Sequence, residues 1–126
     1  MNTHAINWFE IPVMDFDRAK KFYETIFQYQ MPESQMGPAR MGFLLYDFQG
    51  GGRGGAIVHN PSFYTPSTNG TLVYLNGEPD LQPVLDRVTA AGGKVTFPKT
   101  ELGQGLGFWA LMEDSEGNRV ALHSMK

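Results

Sequence analysis

A chain of 126 residues with 41% apolar and 18% charged side chains fits one globular domain (1–126) that buries most of its apolar surface unaided. A formal charge of -3 and the lack of a basic cluster argue against nucleic acid or an anionic membrane as the main partner, and no apolar run nears the ~20 residues that span a bilayer. The absence of cysteine removes disulfides, thiolate metal sites, cysteine nucleophiles and thiol redox sensing, and agrees with a reducing, cytoplasmic setting.

The opening MNTHAINWFEIP lacks the basic-then-apolar layout of a signal peptide. Residues 6–13 alternate as a strand, with Ile6, Trp8 and Glu10 on one face and Asn7, Phe9 and Ile11 on the other. Asp15 is a good helix N-cap, and Ala19, Phe22, Tyr23, Ile26 and Phe27 recur at helical spacing, so a helix is expected over 16–28. A short irregular strand over 29–36 follows. Residues 41–48 and 55–59 then read as two strands around the glycine-rich turn QGGGRG.

The segment NPSFYTPSTN (60–69) is a loop linking two halves. Beyond it, 70–76 reads as a strand, and Asp80 caps a helix with Leu81, Val84, Leu85 and Val88 on one stripe, ended by Gly92 and Gly93. Strands are expected over 94–97, 107–112 and 119–124, the last entered through the turn EDSEGN. The order strand, helix, three strands thus occurs twice, in modules of about 4–60 and 70–126. A duplication is the preferred reading, against an arbitrary α+β domain of coincidentally similar order.

Three segments carry a family resemblance: INWFEIPVMDFDRAKKFY, LDRVTAAGGKV and ALMEDSEGNRVALHS. In this order they resemble the first strand and helix, the second helix and the closing hairpin of glyoxalase/bleomycin-resistance/dioxygenase-like proteins of the vicinal-oxygen-chelate (VOC) superfamily. The resemblance implies an α+β fold in which two βαβββ modules form an open eight-stranded sheet around a cavity. It also implies, in metal-dependent members, four His, Gln or Glu ligands from the first and last strands of each module. Such a site holds a divalent ion that chelates adjacent substrate oxygens.

Carried onto this chain, those four positions fall at Trp8, at Val58 or His59, within 71–73, and at Ala121. At most one ligand survives, so no metal cofactor is expected. Glu10 and His123 share faces with Trp8 and Ala121, since alternate strand residues point the same way. With His59 they compose the alternative, a rebuilt divalent-metal site. Glu10 and His123 are also the candidate catalytic pair for metal-free acid–base chemistry. Each has a plainer reading: Glu10 as an edge or ion-paired carboxylate, His123 and His59 as polar residues satisfying nearby backbone.

Trp8, Glu10, His59, Ala121 and His123 are therefore the expected ligand-cavity residues, with Trp8 a stacking surface. Phe9, Phe43, Tyr46, Phe48, Tyr74, Phe108 and Trp109 are assigned mainly to the core, because aromatics favour strands for packing reasons alone. QGGGRGG lacks the spacing of a phosphate-binding loop and joins strands, so it is read as a hairpin turn. Three functions stand at this point: a lactoylglutathione-lyase-related protein that has lost its metal and binds a small organic molecule; a lyase, isomerase or dioxygenase-type enzyme on the rebuilt or acid–base site; and an interaction module whose cavity has collapsed around Trp8. A homodimer is expected, since open sheet edges need cover.

Overall fold

The computed structural model describes residues 4–44 and 49–126. Its elements run β1 (Trp8–Pro12), α1 (Phe16–Phe27), β2 (Glu33–Met36), β3 (Ala39–Phe43), β4 (Gly54–His59), β5 (Tyr74–Asn76), α2 (Leu81–Asp86), β6 (Lys94–Glu101), β7 (Phe108–Glu113) and β8 (Arg119–Ser124). The repeated strand, helix, three-strand order is present. Hydrogen bonding divides the eight strands into two four-stranded sheets, β1-β4-β3-β2 and β5-β8-β7-β6. Each has its first strand parallel to its last and antiparallel neighbours elsewhere.

Helix α1 starts where Asp15 accepts from the Arg18 N–H at 3.1 Å, and it ends at Gln28, whose left-handed backbone (φ 56) returns a hydrogen bond to the Glu24 carbonyl. Its buried stripe is Phe16, Ala19, Phe22, Tyr23 and Ile26. Helix α2 is shorter than its apolar stripe suggests. After Asp86 the chain continues in turns, with Arg87 and Val88 bonding the carbonyls of Val84 and Leu85, before Gly92 at φ 104 breaks the helical path. Strand β5 begins only at Tyr74, whereas β6 extends through Pro98 by register shifts against β7. The expected strand over 41–48 ends at Phe43; Tyr46 and Phe48 lie outside the described residues.

One apolar core fills the helix side of both sheets. It joins Ile11, Val13 and Ile57 of the first module to Leu75, Ala110, Met112, Val120 and Leu122 of the second, with the buried stripes of α1 and α2 between them. Each large side chain fully buried there, such as Phe22, Ile26 or Leu122, contributes about 1.5–3 kcal/mol.

The turn entering β8 locks the modules together. Asp114, 4% exposed, accepts from the Tyr23 hydroxyl at 2.7 Å, and Asn118 donates its side-chain amide to the Pro12 carbonyl at 2.7 Å. Burial pushes the Tyr23 phenol well above its ordinary range, and the adjoining Asp114 carboxylate pushes the same way, so the hydroxyl stays a donor. Glu116 receives the N–H groups of Met14 and Asp15 and the Arg18 side chain. The segment EDSEGN is thus a set of polar partners for the entry to α1, a role beyond reversing the chain.

Candidate ligand-binding site

Strand alternation leaves each sheet one face free of helix. On the first sheet that face carries Trp8, Ala39, Met41, Phe43, Ala56 and Val58, packed as a second apolar cluster under Tyr64 of the linker. Trp8 meets Phe43 edge-on, ring centroids 6.0 Å apart. Glu10, half-buried, lies on this face and accepts from the Tyr64 hydroxyl at 2.7 Å. That hydrogen bond, and the carboxylate's charge, raise the Tyr64 phenol above its ordinary value.

On the second sheet, Val120 and Leu122 enter the core, so Ala121 and His123 occupy the helix-free face. Ala121 is paired with Tyr74 and Leu111, and His123 with Asn76 and Trp109. The rings of Tyr74, Trp109 and Phe97 form a continuous panel, with centroids 6.2 Å and 5.1 Å apart. Tyr74 is 50% and Phe97 37% exposed, so the panel faces solvent. A hollow of about 370 Å³ lies on one side, lined by Tyr74, Leu75, Asn76, Glu78 and His123. Another of about 310 Å³ lies on the other, lined by Phe97, Leu111, Met112, Thr68 and Arg119 among others.

His123 Nε2 is 2.7 Å from the Leu106 carbonyl, which ties the β6–β7 loop to β8 beside the panel. The neighbouring Gly107 has φ 90, and a Cβ there would run into the Ser124 carbonyl and approach His123 Nε2 to 3.1 Å, so the close approach needs glycine.

Among the four positions where the resemblance puts metal ligands, Trp8, Val58 and Ala121 all face away from the helices, and none has a side-chain lone pair that ligates a metal. His59 takes the opposite side of β4 from Val58. It follows Ile57 onto the helix side and pairs with Arg40, whose guanidinium lies 4.1 Å over the Phe16 ring of α1. Among the described residues no group of three or more His, Asp or Glu is disposed to hold a metal ion, and no hydrogen bond joins any two of Glu10, His59 and His123. The side chains at these positions do not fit the family's divalent ion.

Tyr74, Trp109 and Phe97 have no part in the site that the sequence suggests, and Tyr64 belongs there only to the linking loop 60–69. The available signal was phase: Trp109 stands two residues before Leu111 on β7, and Leu111 faces Ala121 of the closing strand.

Over residues 5–122 the chain matches the model of the Glyoxalase/Bleomycin resistance protein/Dioxygenase superfamily. The chain belongs to that superfamily. No curated protein sequence matches it. Solved structures share this superfamily fold at low identity. A hypothetical protein of S. aureus, SA1046, is 16% identical with a TM-score of 0.69, over 98% of this chain and 95% of that one. TnmS3, an antibiotic binding protein from Streptomyces sp. CB03234, is 21% identical with a TM-score of 0.63, over 98% of both chains. Glyoxalase I from Zea mays is 17% identical with a TM-score of 0.67, over 94% of this superfamily chain but only 44% of the maize protein. Among the described residues no helix is long and apolar enough to cross a membrane.

Proposed function

We propose that this superfamily member binds a small, flat, largely apolar organic molecule without a metal, on the helix-free face that carries Tyr74, Trp109 and Phe97. The observation behind this reading is the panel itself. Three touching rings, two of them more than a third exposed, sit between two hollows, where burying them against a ligand removes apolar surface from water. His123 and Asn76 at the rim supply polar groups that orient such a ligand. Trp8 and Glu10 stand half-buried on the helix-free face of the first sheet, and Ala121 is fully buried beneath that of the second. The likeness to an antibiotic binding protein adds to this reading.

An acid–base lyase built on Glu10 and His123 draws less support, since each is engaged by its own partner, the Tyr64 hydroxyl and the Leu106 carbonyl. A homodimer fits the exposed panel and the outer edges of β2 and β6, and sedimentation at micromolar concentration tests it. The acidic balance and lack of cysteine suit work in the reducing cytoplasm.

The test is a fluorescence titration with anilinonaphthalene sulfonate and a panel of planar drugs, on wild type, Trp109→Phe and Trp8→Phe. Saturable quenching that persists in Trp8→Phe, vanishes in Trp109→Phe and ignores chelator supports the reading. No saturable binding, or binding abolished by chelator, overturns it.

A further inference from the structure

A third hollow, of about 220 Å³, lies where the linker passes between the modules and shares Arg119 with the hollow beside Phe97. Its walls are Glu10 to Pro12 at the end of β1, linker residues including Thr65, Ser67, Asn69 and Thr71, and Asn118 to Val120 at the entry to β8. The linker is held over it at several points. Tyr64 bonds Glu10 at 2.7 Å, the Ser67 N–H bonds the Asn118 side-chain carbonyl at 3.1 Å, and the Arg119 N–H bonds the Ser67 carbonyl at 3.3 Å. Asn118 is itself buried and fixed by Asp114 and Pro12, so these anchors tie the roof to the module core.

The lining joins the apolar side chains of Ile11, Pro12, Val73 and Val120 to polar ones and carries both signs of charge. Oε1 of Glu10 accepts from Tyr64, and among the described residues no second donor reaches the carboxylate. Arg119 donates one guanidinium N–H to the Gly70 carbonyl at 3.3 Å, which leaves further donors of its five. Thr65, Ser67, Asn69 and Thr71 of the linker also line the hollow. Glu10 is half-buried and Arg119 exposed, and a ligand that carries both charges pairs with each.

We propose that this hollow binds a small zwitterion of the α-amino-acid type, with its ammonium on Glu10 and its carboxylate on Arg119. Bidentate pairing of a guanidinium with a carboxylate and charge-assisted bonding of an ammonium to Glu10 account for both ends. The linker hydroxyls receive the remaining polar atoms. Arg119 borders a hollow beside the panel, but Glu10, Thr65, Ser67, Asn69 and Thr71 do not, so failure of flat ligands to bind at the panel leaves this proposal standing.

The experiment is amide NMR of the full chain, titrated with the common L-amino acids. Each is accompanied by its matching amine, which lacks the carboxylate, and its N-acetyl derivative, which lacks the ammonium. At least one amino acid should give saturable shifts at Ser67, Asn69, Thr71 and Arg119, with both truncated forms weaker by about tenfold or more. Glu10→Gln, which keeps an oxygen for Tyr64, should weaken the amino acid and leave the N-acetyl derivative unchanged. Arg119→Gln should weaken the amino acid and leave the amine unchanged. The ligand series on wild type decides the matter even where a variant folds poorly. No saturable shift with any amino acid overturns the proposal. So do equal shifts with glycerol or glucose, and affinities indifferent to removal of either ligand charge.

Discussion

The Arg18 guanidinium reaches the Glu116 carboxylate at 2.6 Å, joining the first helix of one module to the last turn of the other, and no part of the Glu116 side chain is exposed. The same carboxylate takes the backbone N–H of Met14 at 3.0 Å and of Asp15 at 2.7 Å. These are charge-assisted bonds to a carboxylate whose own side chain is closed off from water, so Glu116 acts as a rivet between modules.

Glu116→Gln should therefore lower stability by about 1–3 kcal/mol, read as a shift of the urea midpoint at neutral pH. Burial alone raises the Glu116 carboxyl, but Arg18 and the Asp15 and Met14 amides outweigh it and hold the group below its ordinary value. Since the folded value is the lower one, this stabilisation is complete above the ordinary glutamate range and is lost as pH falls through the depressed value. The variant should lose that share of the acid dependence. Matching midpoints and matching acid profiles for variant and wild type would remove the rivet.

Tyr23→Phe deletes one hydroxyl from a fully buried site and leaves an Asp114 oxygen with one donor fewer. The carboxylate keeps the N–H groups of Glu116 and Asn118 and the Asn118 side-chain amide. The expected cost is about 1–3 kcal/mol, because the ring still fills its space and the polar loss stands alone. Thermal unfolding by circular dichroism measures it; an unchanged midpoint would contradict the assignment.

Gly107→Ala forces a Cβ against the Ser124 carbonyl at a backbone angle that alanine rarely adopts. A loss of about 1–3 kcal/mol is expected, together with faster amide exchange through 103–107 as the Leu106 carbonyl leaves His123. His123→Ala should speed the same amides with a smaller stability change. Exchange that stays slow in both variants would show the loop is held by something else.

Trp109→Ala removes the middle ring of the panel while the core residues Ala110 and Met112 beside it remain. Affinity for a flat ligand should fall by about tenfold, with urea stability changed far less than by Tyr23→Phe. Isothermal titration gives the first quantity and denaturation the second. A large stability loss with unaltered affinity would return Trp109 to the ordinary packing role that its strand position suggests.

Residue patterns alone determined the two βαβββ modules, the Asp15 and Asp80 caps and the closing strand Arg119–Ser124, because these rest on local chemistry and on alternation that any folded context preserves. The resemblance puts the family's metal-ligand positions at Trp8 and Ala121, and residue identity alone says that neither side chain is a metal ligand. Local pattern overran where tertiary contacts set the ends. The second helix stops at Asp86 although its apolar stripe runs on to Val88, because that stripe is buried equally well by turns.

Only the tertiary structure decided on which side of β4 His59 lies, since its neighbours Val58 and Ile57 are both buried and give no phase. The aromatic panel was equally hidden. Tyr74, Phe97 and Trp109 are far apart in sequence, and an aromatic strand residue reads the same whether its ring enters a core or faces solvent. The pairing of Tyr64 with Glu10 across 54 residues belongs to the same class, because which loop side chain reaches a strand carboxylate depends on how the linker crosses the sheet.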